Sequence, residues 1–411
     1  MEASHSIVVA KHLLLVLGII LSVGTFTSLA ARFMKVPDVV LFLVVGMLIG
    51  PSVIGLVDIK ADSVVNQIIL TFGSCYILFD GGATMRLKVL KDVWITIVVI
   101  STIGLIITTL ITGLAAHYVL GLPIIIAMLL AATIASTDPA TLVPVFRQVK
   151  VRERVAQTVM SESAFNDAMG AIVTFTILGI AMGQSEFSAG MAFGELLWEA
   201  SLGMLAGAVL GYLAVLLIAH EHFAFLEEYS PLVSLMMVIG AYMTADGVNA
   251  SGFMAVFVFG IMLGNKEFFG FKMEPGEEEK LEDFVMTTAL IMRMFIFILL
   301  GTQVNFELMN QYLVGGVIVV TIFMLVARPV TVFLCALPDR RAKWTTKELL
   351  FMCWTRETGV IPGALAGLLV GMKAPGAEII ASVTFIAILM TILIQATTTK
   401  WLAGKLDLLE E

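Results

Sequence analysis

The stretch Ser161-Glu162-Ser163-Ala164-Phe165-Asn166-Asp167-Ala168-Met169-Gly170 sets two acids and an amide inside an otherwise apolar run from 154 to 183. At about 100° per residue, Glu162, Asn166, Ser163 and Asp167 fall at about 0°, 40°, 100° and 140° around a helix, so all four share one face. That face has two stripes. Ser163 and Asp167 stack one turn apart and can offer a hydroxyl and a carboxylate to one ion. Glu162 and Asn166 form the other stripe, from which they can reach toward an arginine on a neighbouring helix.

The composition around this face is that of a chain whose main solvent is lipid. It is 59% hydrophobic and only 14% charged, with a mean hydropathy of +1.01, whereas soluble domains carry about 25% charged residues. At roughly 20 apolar residues per crossing, 411 residues suffice for about a dozen spans and leave no stretch for a sizeable soluble domain. The net charge of −8, with Lys and Arg in short clusters between apolar runs, argues against nucleic-acid binding. Cys75, Cys335 and Cys353 lie in apolar stretches and read as small buried hydrophobes rather than a disulfide framework. The start at Met1 to His5 lacks a basic region and a cleavage site, so the first apolar run reads as a retained helix.

Apolar runs occur at 7 to 29, 37 to 57, 65 to 82, 92 to 119, 122 to 146, 154 to 183, 190 to 219, 230 to 246, 250 to 265, 284 to 303, 312 to 337, 347 to 371 and 377 to 402, which predicts thirteen spans. With the C-terminus cytoplasmic and the N-terminus outside, eighteen basic residues lie inside and three, Lys11, Lys60 and Lys373, lie outside. Arg293, Arg328 and Arg356 fall within spans. The fifth run carries Thr137-Asp138-Pro139-Ala140 and the twelfth Arg356-Glu357-Thr358-Gly359-Val360-Ile361-Pro362. Both are predicted to be broken helices, because proline frees carbonyls that need partners at membrane depth. Their positions differ by seven spans, as in two inverted six-helix units joined by a linking helix, a transporter pattern with the ion site between the repeats.

An intramembrane carboxylate is costly and usually marks an ion or proton route. Oxygen ligands suit a hard cation, and the sequence offers no thiolate set or paired histidines for a transition metal. If Asp167 holds either a cation or a proton but never both, alternating exposure of that one site exchanges the two.

Thr137-Asp138-Pro139-Ala140, then Glu162-Ser163 and Asn166-Asp167, resemble the monovalent cation/proton antiporter superfamily, and the Asn-Asp pair resembles its NhaP-type, electroneutral sodium/proton branch. Leu78-Phe79-Asp80-Gly81-Gly82, Arg328-Pro329 and Arg356 with Gly359 extend the likeness over nearly the whole chain. The resemblance implies an all-α antiporter fold and a transporter rather than an enzyme, with Na⁺ and H⁺ as transported ions and no cofactor. Asp167 would be the exchange carboxylate, with Asp138, Ser163 and Thr137 completing Na⁺ coordination and Asn166 standing where the electrogenic branch has a second aspartate. Glu162 would pair with Arg328, Arg356 or both, and Asp80 would be a gate or outer ligand. Implied parts are interface helices at 1–90, core helices at 91–184 with the ion site, a linking helix at 185–229, interface helices at 230–310 and core helices at 311–411, in a homodimer in the plasma or inner membrane that serves pH homeostasis. Glu357 departs from the Arg-Gly of many relatives.

Plainer readings stand beside these. Asp167 could be a structural acid paired with an arginine, Asp138 a half-helix cap, and Asp80 a partner of Arg86. His220-Glu221-His222 could sense pH or be a solvated loop, and Glu274 with Glu277 to Glu279 reads as a solvated acidic loop. At the level of function, the rivals are a K⁺/H⁺ exchanger of the same fold and a channel-like or sensory membrane module.

Overall fold

The computed structural model describes residues 2–34, 38–60, 63–137, 142, 146, 151–183, 189–219 and 224–409. Among them the chain is almost wholly helical, the one β-type pairing being an isolated antiparallel bridge between Val151 and Leu409. The helices are α1 (Glu2–Met34), α2 (Asp38–Ile49), α3 (Val64–Ala83), α4 (Leu87–Val99), α5 (Leu105–Leu120), α6 (Ile124–Ala135), α7 (Glu153–Ala181), α8 (Ala189–Ala219) and α9 (Ser230–Asp246). They continue as α10 (Gly252–Gly264), α11 (Pro275–Thr302), α12 (Phe306–Ile322), α13 (Arg328–Ala336), α14 (Thr346–Trp354), α15 (Val360–Gly371), α16 (Ala377–Met390) and α17 (Thr397–Lys405). Every one of the thirteen apolar runs contains helix, and among the described residues eight helical stretches are long and apolar enough to cross a bilayer.

Three pairs of helices are one rod apiece, joined by a π-turn: α4 to α5 through Ile100–Gly104, α12 to α13 through Phe323–Ala327, and α16 to α17 through Thr391–Ala396. A π-turn adds a residue to the ladder and swings the following side chains to a new direction, a device concentrated at functional sites. The first two lie in runs seven apart, as inverted repeats require.

The same symmetry governs packing. A Cβ on Gly260 of α10 would stand 2.3 Å from the Phe79 carbonyl of α3, and one on Gly301 of α11 would stand 2.4 Å from the Leu43 carbonyl of α2. Backbones touch at both crossings, which only glycine permits. Dispersion contacts between the two helices then supply the attraction that water would supply in a soluble protein. The helix of the second run meets that of the tenth, and the helix of the third meets that of the ninth, so exchanging the halves maps one contact onto the other.

Two sequence expectations need correction. The second run was expected to be apolar helix through 57, but α2 stops at Ile49, because Gly50-Pro51 follows and proline cannot continue the ladder. Residues Glu277 to Glu279 are not a loop: they open α11, with Pro275 at its first position. Acids in a first helical turn face the positive end of the helix dipole, and Glu278 is held at 2.5 Å by Lys266.

Candidate functional site

α6 ends at Ala135, and Ser136 is extended (φ −76°, ψ 156°), so Thr137 has left the helix. Its N–H would be an orphan in the protein interior. Asn166 of α7 takes it: Oδ1 accepts from Thr137 N–H at 2.8 Å, and Nδ2 donates to Thr137 Oγ1 at 2.9 Å. The helical wheel had directed Asn166 toward an arginine together with Glu162. At about 40° it is the member of its stripe nearer the Ser163–Asp167 stripe, and it turns to the break instead.

The stripe of Ser163, Asp167 and Gly170 faces the same break, since a Cβ on Gly170 would lie 2.9 Å from Ser136 Cβ. Ser163 and Asp167 are each 1% exposed. Among the described residues, no hydrogen-bond partner is found for the hydroxyls of Ser163 and Ser136. An unfilled hydroxyl beside a buried carboxylate is the oxygen chemistry a dehydrated alkali cation needs. Asp138 lies outside the described residues, as do His220, Glu221 and His222.

The opposite stripe is closed by charge. Arg328 Nη1 and Nη2 donate to the two oxygens of Glu162 at 2.5 and 2.8 Å, and its Nε donates to the Met352 carbonyl at 3.0 Å. Arg328 is the first residue after the π-turn Phe323–Ala327, and this one side chain ties α7, α13 and α14 together. The fork geometry uses both carboxylate oxygens. Arg356 therefore does not join the pair. It donates to the Ala135 carbonyl at the C-terminus of α6 and lies over the Phe323 ring at 4.5 Å. A helix C-terminus carries partial negative charge and an aromatic face attracts a cation, so the site offsets part of Arg356's burial without spending a carboxylate.

The twelfth run breaks between α14 and α15, and Thr355 to Thr358 are all buried there. Thr358 N–H donates to Thr391 Oγ1 at 3.1 Å. Each break thus has one main-chain N–H held by a side chain of the helix that follows it. Asp80 is half-buried in the last turn of α3, and Arg86 lies 3.9 Å from Glu153. The Ala135 and Phe323 contacts of Arg356, and the π-turn carrying Thr391 and Gln395, escaped the sequence reading. A glutamine inside the run from 377 to 402 was the available signal for the last.

Two interrupted helices, bridged by Arg356 and flanked by a buried carboxylate face, within halves related by inverted repetition, define an all-helical membrane secondary transporter. The family model described as "Sodium/hydrogen exchanger, transmembrane" matches residues 18–405. The chain belongs to that family, whose members are transporters and not enzymes. It is similar to the Na⁺/H⁺ antiporter 1 of Methanocaldococcus jannaschii, with 32% identity over 95% of each chain. The structure of the sodium proton antiporter MjNhaP1 from the same organism at pH 8 superposes with a TM-score of 0.83 at 30% identity, covering 96% of this chain and 99% of that one. The K⁺/H⁺ antiporter NhaP of Alkalimonas amylolytica is 26% identical over 95% of this chain and 66% of its own. The likeness in sequence and structure agrees with the NhaP-type branch.

Proposed function

We propose that this protein exchanges Na⁺ for H⁺ across the membrane, one for one, by alternating access of a site centred on Asp167. The observation that carries this reading is that Asp167, 1% exposed and one turn from Ser163, lies on the α7 face whose Gly170 meets Ser136 at the break that follows α6. Deprotonated Asp167, with Ser163, Thr137 and Asp138, holds a cytosolic cation; after the site is re-exposed on the other side, protons displace it. Asp80 serves as gate or outer ligand. Glu162, whose two carboxylate oxygens accept from Nη1 and Nη2 of Arg328, serves as a structural ion pair rather than as a ligand of the cargo.

One cation for one proton moves no net charge, so membrane voltage, worth about 2.3 kcal/mol per charge per 100 mV, does not drive the cycle. The chain crosses the bilayer thirteen times with the C-terminus cytoplasmic, as the distribution of eighteen against three basic residues supports. Residues 91–184 and 311–411 form the moving core, 1–90 and 230–310 form the dimer interface, and 185–229 link them. The glycine-backed crossings of α2 with α11 and α3 with α10 give that interface part a rigid frame. The setting is the plasma or inner membrane, and the role is pH homeostasis.

A K⁺/H⁺ exchanger is the second reading, favoured by the likeness to the Alkalimonas K⁺/H⁺ antiporter. Purified protein in proteoliposomes loaded with a pH dye separates them. Dequenching by Na⁺ or Li⁺ at concentrations where K⁺ is silent supports the proposal, and the reverse order favours the rival. Ion flux far above carrier turnover that survives Asp167→Asn would instead indicate a channel-like module.

A further inference from the structure

The second break carries a polar group for which the exchange cycle has no use. Glu357, Thr358, Thr391 and Gln395 are each wholly buried. Thr391 and Gln395 lie in the π-turn and Thr398 lies in the first turn of α17, all on one rod. That rod touches the broken helix on either side of Gln395: Thr391 Oγ1 accepts from Thr358 N–H at 3.1 Å, and Thr398 Oγ1 accepts from Trp354 Nε1 at 2.8 Å. Gln395 lies between these contacts and is therefore level with the segment from Thr355 to Glu357.

Neither Oε1 nor Nε2 of Gln395 has a hydrogen-bond partner among the described residues, and the Thr358 hydroxyl has none either. A buried amide with both ends open is rare and signals an ordered water or an ion. A cation would engage Oε1 alone and leave the Nε2 donors unmet. Water engages both ends, and beside a carboxyl group it also delivers and removes a proton.

We propose that the break of the second half is a second proton site, in which Glu357 binds a proton through water held by Gln395 and Thr358. This site is distinct from the face of Asp167, and its proton does not travel with the cargo. The charged and titratable groups on the elements packed against it include Arg356, Cys353, Lys347 and Glu348 on its own segment, Glu162, Asp167, Glu153 and Arg154 on α7, Arg328 and Cys335 on α13, Asp80 and Tyr76 on α3, Arg293 on α11, Glu378 on α16, and Lys400 and Lys405 on α17. The facing stretch from Thr391 to Thr398 is uncharged. Ionised, Glu357 offsets the charge of the adjacent Arg356. Protonated, it leaves that charge to the Ala135 carbonyl and the Phe323 ring alone, and so opposes cation binding in acid.

The proposal rests on the exchange reading only for the place of the cargo site, and infrared difference spectra of the purified protein in lipid vesicles, recorded without Na⁺ while the pH is stepped, test it separately. In Asp167→Asn protein a titrating protonated-carboxyl band should persist. Adding Glu357→Gln should remove it, and adding Gln395→Leu should shift its frequency and midpoint. Identical carboxyl bands with and without Glu357→Gln would overturn the site. Where the Glu357 variant fails to fold, the Gln395→Leu variant decides, and an unmoved band counts against the proposal. Exchange assayed on the same Asp167→Asn vesicles reports on the cargo site alone: if it persists, the exchange reading fails whatever the spectra show.

Discussion

Asn166 holds Thr137 twice, accepting its backbone N–H at 2.8 Å and donating to its hydroxyl at 2.9 Å. One side chain of α7 thereby fixes the point at which the fifth run leaves its helix, next to the carboxylate at position 167. The amide is suited to this because it both accepts and donates, whereas an ionised carboxylate only accepts.

Replacing Asn166 by alanine should leave the buried Thr137 N–H unsatisfied, at a cost of about 1–3 kcal/mol. Thermal unfolding of the purified protein should register that loss. Asn166→Asp keeps the acceptor, and it should remain insensitive to voltage, because Arg328 and Arg356 are untouched. Exchange rates in vesicles clamped at zero and at a negative potential should coincide, and divergence would show that one added acid suffices for electrogenic transport.

The Glu162–Arg328 pair is 2% exposed on both sides, so its partners cannot be removed singly without stranding a charge. Glu162→Gln should destabilise by about 3–5 kcal/mol, whereas the paired change Glu162→Gln with Arg328→Met should recover much of it. A double-mutant cycle on unfolding temperature in detergent measures the coupling. Additive losses would mean that the pair contributes little as a pair.

At the crossing of α3 and α10, Gly260→Val should prevent monodisperse folding, since even a Cβ there meets the Phe79 carbonyl at 2.3 Å. Gly240, with nothing within 4 Å of an added Cβ, is the matched control and should accept alanine. Size-exclusion profiles of the two variants give the comparison.

Near the C-terminus, Lys347 donates to Asp407 at 2.5 Å and holds that carboxyl below its usual range. A depressed folded value adds stability above the unfolded pKa, about 3.9 for aspartate, and loses it as pH falls through the folded value. The pair is well exposed, so the effect is small. Amide exchange at Leu408, whose N–H bonds the Ala403 carbonyl, should be slightly faster in Lys347→Met at neutral pH, and the difference should vanish in strong acid. A difference that persists in acid would assign the contact another role.

Much of the fold was legible because lipid leaves few options. Apolar runs had to be helices, and proline beside polar residues at membrane depth had to break them. The i,i+4 relation of Ser163 and Asp167 also survives, because a helical period is local information. What the sequence concealed depends on neighbours. No hydropathy pattern distinguishes a π-turn from α-helix, so the turn before Arg328 and the one carrying Gln395 were invisible. Arg328 and Arg356 were both open as partners of Glu162, because charge matching is blind to a helix C-terminus; Arg328 takes the carboxylate, and the Ala135 carbonyl and the Phe323 ring receive Arg356. The acids from Glu277 to Glu279 looked like a loop because charge was read before the Pro275 start signal.

The most direct measurement is Na⁺-driven proton movement in proteoliposomes containing Asp167→Asn, alongside a melting curve showing that the variant is folded. The amide keeps the shape of the carboxylate but neither binds a proton nor neutralises a cation, so exchange should be lost while stability is retained. Folded Asp167→Asn protein that exchanges Na⁺ for H⁺ at the normal rate would contradict the assignment of Asp167 as the exchange site.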